Sequence, residues 1–265
     1  MQFAKLNTEI PETIDGLTDE VLFKTDPDDM VSARAINGPR VANAILKSMR
    51  PESIPHFRTA LRAVKLWAKM RCVSGNTYGF MAGVTLAILV ALTAKFYPNA
   101  CAFTILQRFF MVFKTWNWKK PIQLNDIQVG GLLSKSVWTN TGTDIMPVLT
   151  PAYPSMNSTY AVSRSTFTIL CDEWKRGHFL LGQKLETKEE LDRLFEPLDF
   201  FGMYLCYFQV ICSSATEEDY NAWVGYVESR LRHLVGALEN YPEIILSHPY
   251  PKSISPPNTV CCLPI

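Results

Sequence analysis

Apolar residues recur at helical spacing along much of the chain. From His56 to Cys72, Phe57, Leu61, Val64 and Ala68 follow one another at steps of three and four, the spacing that lines one face of an α-helix. Beside that stripe runs a second one of Arg58, Arg62, Lys65 and Lys69. The stretch from near Phe80 to Phe96 is apolar almost all round, which predicts a helix enclosed by others, and Tyr97-Pro98-Asn99 stops it. Its most apolar part, Phe80 to Ala94, is shorter than the roughly 20 residues a bilayer span requires. Phe103 to Trp116 forms a third, aromatic-rich helix, ended by Asn117-Trp118-Lys119-Lys120-Pro121. Three such helices suffice for a bundle-like core.

The flanks are more mixed. Residues 1 to 11 read as a terminal strand and loop. Thr18 to Met49 holds short helical patterns, broken at Asn37-Gly38-Pro39. Ile122 to Tyr153, rich in Gly, Thr and Pro, reads as irregular, and Ser163 to Gly177 and Thr187 to Phe195 as helical. The dense aromatic and aliphatic run Phe200 to Cys212 has strand character. Glu217 to Asn240 is an amphipathic helix with Trp223, Val227, Leu231, Leu234 and Leu238 inward, and a short strand is expected at Ile244 to Ser247. That strand-helix-strand order suggests the start of a small α/β unit. The fold class is therefore α+β, mainly helical.

Composition adds bounds. The chain has 265 residues, 48% hydrophobic and 19% charged, enough for one to three domains at about 100–200 residues each. Its 26 basic and 25 acidic residues leave a net charge of +1, so any basic site is local and no membrane partner is expected. Lys5, Glu9 and Glu12 interrupt any apolar leader core, so no signal peptide is expected, and both chain ends read as cut. The seven scattered cysteines show no zinc-like spacing and read as reduced, mostly buried thiols of an intracellular protein. Cys262-Leu263-Pro264-Ile265 fits a prenylation box poorly, and Asn157-Ser158-Thr159 is a glycosylation sequon by pattern only.

Candidate chemistry concentrates at Val73 to Gly79 and the start of the following helix. A helix N-terminus offers unpaired amides and partial positive charge, and Gly79 and Gly83 let a flat ligand approach the backbone. Lys65 could then meet a phosphate and Asn76 a base or ribose edge. The plainer readings are that the glycines serve packing and that the basic stripe is a solvated face. Asp26, Asp28 and Asp29 cluster, as metal ligands or as helix-start acids. His56, His178, His233 and His248 have no partners at metal spacing, and no Ser/His/Asp set or paired carboxylates stand out.

Several segments together resemble the nuclear, eukaryotic type of poly(A) polymerase. They are Ile36-Asn37-Gly38-Pro39-Arg40-Val41, Leu61-Arg62-Ala63-Val64-Lys65-Leu66-Trp67-Ala68-Lys69, Gly79-Phe80-Met81-Ala82-Gly83-Val84 and Tyr97-Pro98-Asn99-Ala100. Trp116-Asn117-Trp118, Met146 to Pro154 and Trp223 to Ser229 follow in family order. The resemblance implies a nucleotidyltransferase remnant at 1–51, a helical central domain at 52–200 and a partial RNA-recognition-like α/β domain at 201–265. The reaction implied is template-independent transfer of AMP from ATP to an RNA 3′-hydroxyl, with Mg²⁺ or Mn²⁺ in the full-length family enzyme.

Position by position, the resemblance makes Lys65 the triphosphate contact, Asn76 the asparagine facing the nucleotide, and Gly83 with Val84 the pair beside adenine. Arg62 and Asn157 become phosphate or RNA contacts. Where the family has a tyrosine in the nucleotide loop this chain has Ser74, with Tyr78 the nearest substitute. The family's metal-binding carboxylates would fall upstream of Met1, so no catalytic residue and no metal site are expected, and the chain alone is expected to be inactive. Expected partners are ATP, an RNA 3′ end and mRNA 3′-processing factors, in the nucleus. Two other readings stand beside this one: a non-catalytic RNA- or nucleotide-binding module, and a structural, partner-binding helical domain.

Overall fold

The hydrophobic pattern of the central residues becomes four helices around one core: α2 (Ile54–Met70), α3 (Gly83–Phe96), α4 (Ala102–Thr115) and α5 (Arg164–Gly182). The computed structural model describes residues 4–5, 9, 30–128, 134–183, 187–254 and 261–264. Of the expected strand and loop at 1–11 only residues 4–5 and 9 are described, none of them in a strand, and the Asp26, Asp28, Asp29 cluster lies outside the described residues. α3 is the enclosed helix, with every residue from Ile88 to Ala94 buried. Around it Trp67, Phe109, Phe110, Phe113 and Trp174 are fully buried, and Trp118 stacks on Trp174 at 5.0 Å between centroids. Gly177 lets α5 meet α4 closely, because a Cβ there would stand 2.3 Å from Phe110 Cδ1.

A buried polar clamp ties the ends of this bundle. Glu173 on α5 accepts from Trp67 Nε1 at 3.2 Å and pairs with Arg71, whose Nη2 lies 2.9 Å from Oε1. The loop between α4 and α5 has little regular structure, as expected. It is held by isolated bridges of Ile122 to Val148 and Leu149 to Asn157.

Six expectations need correction. The break at Asn37-Gly38-Pro39 is absent, since α1 (Met30–Lys47) runs through Pro39. Tertiary anchors on both sides of it offset the lost backbone bond: Val41 and Ile45 are buried, and Arg40 Nη1 donates to Asn37 Oδ1 and to the Tyr153 carbonyl. α3 starts at Gly83, not Phe80, because Phe80 and Met81 are drawn into the core by a bridge between Ser74 and Met81. Within Phe200 to Cys212 only β1 (Gln209–Cys212) is strand. Phe200–Met203 forms a short helix, α7, capped by Asp199.

The run is aromatic because Phe200 and Tyr204 pack on His248 while Tyr250 packs on Phe200, which accounts for its apolar character without a strand. Ile244 to Ser247 is not a strand either, and the Ser247 amide donates to Ser165 Oγ on α5. Lastly, Trp223 and Leu234 on α8 (Glu217–Leu238) point outward, at 46% and 37% exposure, while Leu231 and Val235 are the buried pair. Between α5 and α7 lies the short α6 (Lys188–Asp192).

β1 pairs antiparallel with β2 (Cys261–Pro264), Gln209 opposite Pro264 and Cys212 opposite Cys261. Cys212 and Val210 pack on Leu231, Val224, Val227 and Leu238 of α8, and Tyr78 from the bundle joins them. Of the five cysteines whose side chains are described, Cys72 and Cys212 are buried, whereas Cys101 and Cys206 are exposed, against the expectation of mostly buried thiols. No helix among the described residues is long and apolar enough to cross a membrane.

Candidate functional site

The two stripes of α2 lie side by side, about 100° apart around the helix. Phe57, Val64 and Ala68 are buried, whereas Arg58, Arg62, Lys65 and Lys69 are all exposed. Where α2 passes α1 and the start of α3, a groove of ≈ 410 Å³ opens, with Phe57, Leu61, Ile45 and Ala87 at its apolar floor and Arg58 and Lys65 on its rim. Gly83 and Val84 form its other lip. A Cβ at Gly83 would stand 3.8 Å from both Lys65 Cε and Nζ, so the ammonium group hangs over the first turn of α3. That turn has Ala82 as N-cap and no side-chain cap, which leaves its amides to a ligand. The arrangement suits a molecule with a flat apolar part and a negative end.

Three of the candidate residues, Lys65, Gly83 and Val84, thus share one groove. Arg62 is exposed on the same basic edge of α2 but does not line the groove. Asn76 stands elsewhere, in the 3-10 turn Asn76–Tyr78, where its Nδ2 donates to the Tyr160 hydroxyl at 3.0 Å. The turn is closed by Gly75 and Gly79 at positive φ, 113° and 79°. Asn157 is an organiser of its own loop: its Oδ1 accepts from the amides of Val148 and Thr159 and from Thr159 Oγ1.

Tyr78 is the nearest ring to Ser74 along the nucleotide loop. It packs toward α8, where burial first and Glu228 second push its hydroxyl pKa up.

The contribution of α1 was not legible beforehand. Gly38, Ala42, Ile45 and Leu46 form the third wall of the groove, and the signal in the sequence was their spacing of three and four residues. Tyr160, which meets Asn76, and Arg232, which meets Tyr160, carried no signal at all. Among the described residues no three His, Cys, Asp or Glu side chains gather to hold a metal. The divalent metals implied by the resemblance therefore find no fitting ligand set there.

A family model for the poly(A) polymerase central domain matches residues 56–197. The chain belongs to the poly(A) polymerase family. A second model, the poly(A) polymerase predicted RNA binding domain, matches residues 199–261. The chain is similar to the poly(A) polymerase of Dictyostelium discoideum, 43% identical over 257 residues, which cover 96% of this chain and 31% of that protein. It is also similar to nuclear poly(A) polymerase 1 of Arabidopsis thaliana, 40% identical over 247 residues, 91% of this chain and 34% of the relative. Nuclear poly(A) polymerase 4 of the same plant is 38% identical over 248 residues, 91% of this chain and 33% of that protein. The chain thus spans about a third of the length of the curated poly(A) polymerases it matches.

Proposed function

We propose that this chain supplies the nucleotide- and RNA-holding part of a poly(A) polymerase that transfers AMP from ATP to an RNA 3′-hydroxyl in the nucleus. The observation that carries the reading is the groove in which Lys65, Gly83 and Val84 meet over the uncapped first turn of α3. Adenine would lie between Val84 and the apolar floor. Lys65 would neutralise phosphate charge, and Arg58 and Arg62 would continue the positive edge toward the RNA. Mg²⁺ or Mn²⁺ would stabilise the attacking and leaving oxygens of the transfer when bound, but its ligands are not assigned among the described residues. What this chain's residues do is bind and orient.

Partners on this reading are ATP, an RNA 3′ end and 3′-processing factors. The chain alone is then a holder of substrates and extends no primer. Incubating it with ATP, magnesium or manganese and an oligo(A) primer tests the assignment. Primer retention without tail growth is expected, and robust tail growth would show that the chain carries its own metal chemistry. A second reading, a non-catalytic RNA-binding module, uses the same groove and edge and predicts the same absence of growth. The two separate on adding the upstream family domain in trans, which restores extension only under the first.

A further inference from the structure

The outer side of α8 carries a stripe that the helix–sheet contact does not use. Trp223, Tyr226, Arg230 and Leu234 follow one another at steps of three, four and four residues, which places them along one side of the helix. All are exposed, Trp223 at 46%, Tyr226 at 54% and Leu234 at 37%, and Arg230 with them. The face turned to β1 is a different one, made by Leu231 with Val224, Val227 and Leu238. Single exposed apolar residues are ordinary on a protein surface. These are joined: Trp223 stacks on Tyr226 at 5.7 Å and 10° between ring planes, and the Arg230 guanidinium carbon lies 4.8 Å from the Tyr226 centroid. The two rings form one flat ledge, and the cation beside it makes no ion pair among the described residues. Trp, Tyr and Arg are the residue types that anchor protein interfaces.

The order of the stripe selects its partner. Turned antiparallel about a two-fold axis near residue 228, the stripe is complementary to itself. Trp223 falls opposite the second copy's Leu234, and Tyr226 falls opposite the second copy's Arg230. Apolar then meets apolar, and each cation meets a ring. A parallel copy would set Arg230 against Arg230, like charge on like. We propose that α8 is a self-association surface, on which a second copy of this chain docks antiparallel through Trp223, Tyr226, Arg230 and Leu234. From Trp223 to Leu234 the stripe rises about 16 Å. Aromatic side chains carry about 150–250 Å² each, so these half-exposed rings leave about 100 Å² apiece to bury. Two such stripes stay below the roughly 1,200 Å² of a standard interface, which makes the dimer weak and concentration-dependent. The contact is separate from the groove between α1, α2 and α3 and does not depend on what that groove holds.

Sedimentation equilibrium of the intact chain over about 1 to 200 μM tests the surface. The average mass should rise from 30.0 kDa toward twice that value and stop there, because an isologous contact closes at two copies. Trp223→Ala removes the larger ring and should raise the dissociation constant about tenfold or more. Arg230→Glu keeps the apolar residues but sets a carboxylate against the negative face of a ring, and should weaken the dimer likewise. Phe179→Ala, at a residue 65% exposed on α5 and outside the stripe, should change nothing. Thermal melts check that each variant folds.

A chain that stays at 30.0 kDa throughout, or whose mass climbs past a dimer, overturns the proposal. A dimer that survives both Trp223→Ala and Arg230→Glu overturns it too. A chain that dimerises as described but binds no ATP in calorimetry keeps this surface and loses the groove.

Discussion

Lowering the pH from 7 to 4 should destabilise the fold through one buried imidazole. His248 is 5% exposed and lies between α7 and the end of α2. Tyr204 Oη stands 2.6 Å from its Nδ1, and its Nε2 stands 3.4 Å from the Cys72 carbonyl. A carbonyl only accepts, so Nε2 carries the proton and Nδ1 accepts from the tyrosine: the ring is neutral. Burial, chiefly, with Arg71 adding to it and the Cys72 bond opposing it, holds the His248 pKa down to about 4 from 6.5. Burial likewise pushes Tyr204 up to about 12, with Tyr207, Cys72 and Glu173 adding to it.

The sign follows from which state binds the proton first. Between pH 6.5 and about 4 the unfolded chain protonates His248 and the folded chain does not, so stability is full above 6.5 and is lost as pH falls through that window. The loss amounts to about 3 kcal/mol in all, at most about 1.4 kcal/mol per pH unit. Urea unfolding at half-unit pH steps, on wild type and His248→Gln, measures it. The variant is less stable at pH 7 but should have a flatter slope from 6.5 to 4. His178, also held low by burial and Lys114, contributes a background slope in the same direction that both proteins share. Equal slopes in the two proteins would refute a buried neutral His248.

Other outcomes follow from the packing. Gly177→Ala forces a methyl group onto Phe110 and should cost about 1–3 kcal/mol in denaturant unfolding, with Phe110→Leu in the same chain recovering part of it. Glu173→Gln leaves the largely buried Arg71 without its carboxylate and should cost about 3 kcal/mol, read as a lower melting temperature. Glu239 accepts from Ser163 Oγ and from the Ser165 and Arg164 amides at the start of α5. Burial alone would raise its pKa, but these bonds outweigh it and hold it below 4.5. Its contribution is present above pH 4.5 and lost below, so Glu239→Gln should flatten the acid limb below the His248 window.

The sequence made the bundle legible where one helix carries both its stripes. α2 shows its apolar and basic faces in residues 56–72 alone, so Lys65 and Arg62 could be placed on an exposed edge before any coordinates. Gly83 could be placed in the first turns of the following helix, although its start was expected at Phe80. What escaped depended on partners far along the chain. His248 meets Tyr204 and Cys72, 44 and 176 positions away, and nothing in its neighbours announces a buried ring. Pro39 reads locally as a break and is overruled by Arg40 reaching the Tyr153 carbonyl. Trp223 reads as a core residue by type, yet it stacks on Tyr226 outside the helix–sheet contact. The Asn76, Tyr160, Arg232 cluster joins three separate segments, which no local pattern could reveal.

The proposed ATP site is the groove between α1, α2 and α3, with Lys65 on phosphate and Gly83 leaving room for the base. Calorimetric titration of ATP into the intact chain, compared with Lys65→Ala and Gly83→Val, tests it most directly. The space beside Gly83 admits a side chain, since the nearest atoms are the flexible end of Lys65 at 3.8 Å, so both variants should melt as wild type does. Lys65→Ala should weaken ATP about tenfold or more, the value of a charge-assisted phosphate contact, and Gly83→Val should abolish measurable binding. ATP binding that is the same in all three proteins would rule out this groove as the ATP site.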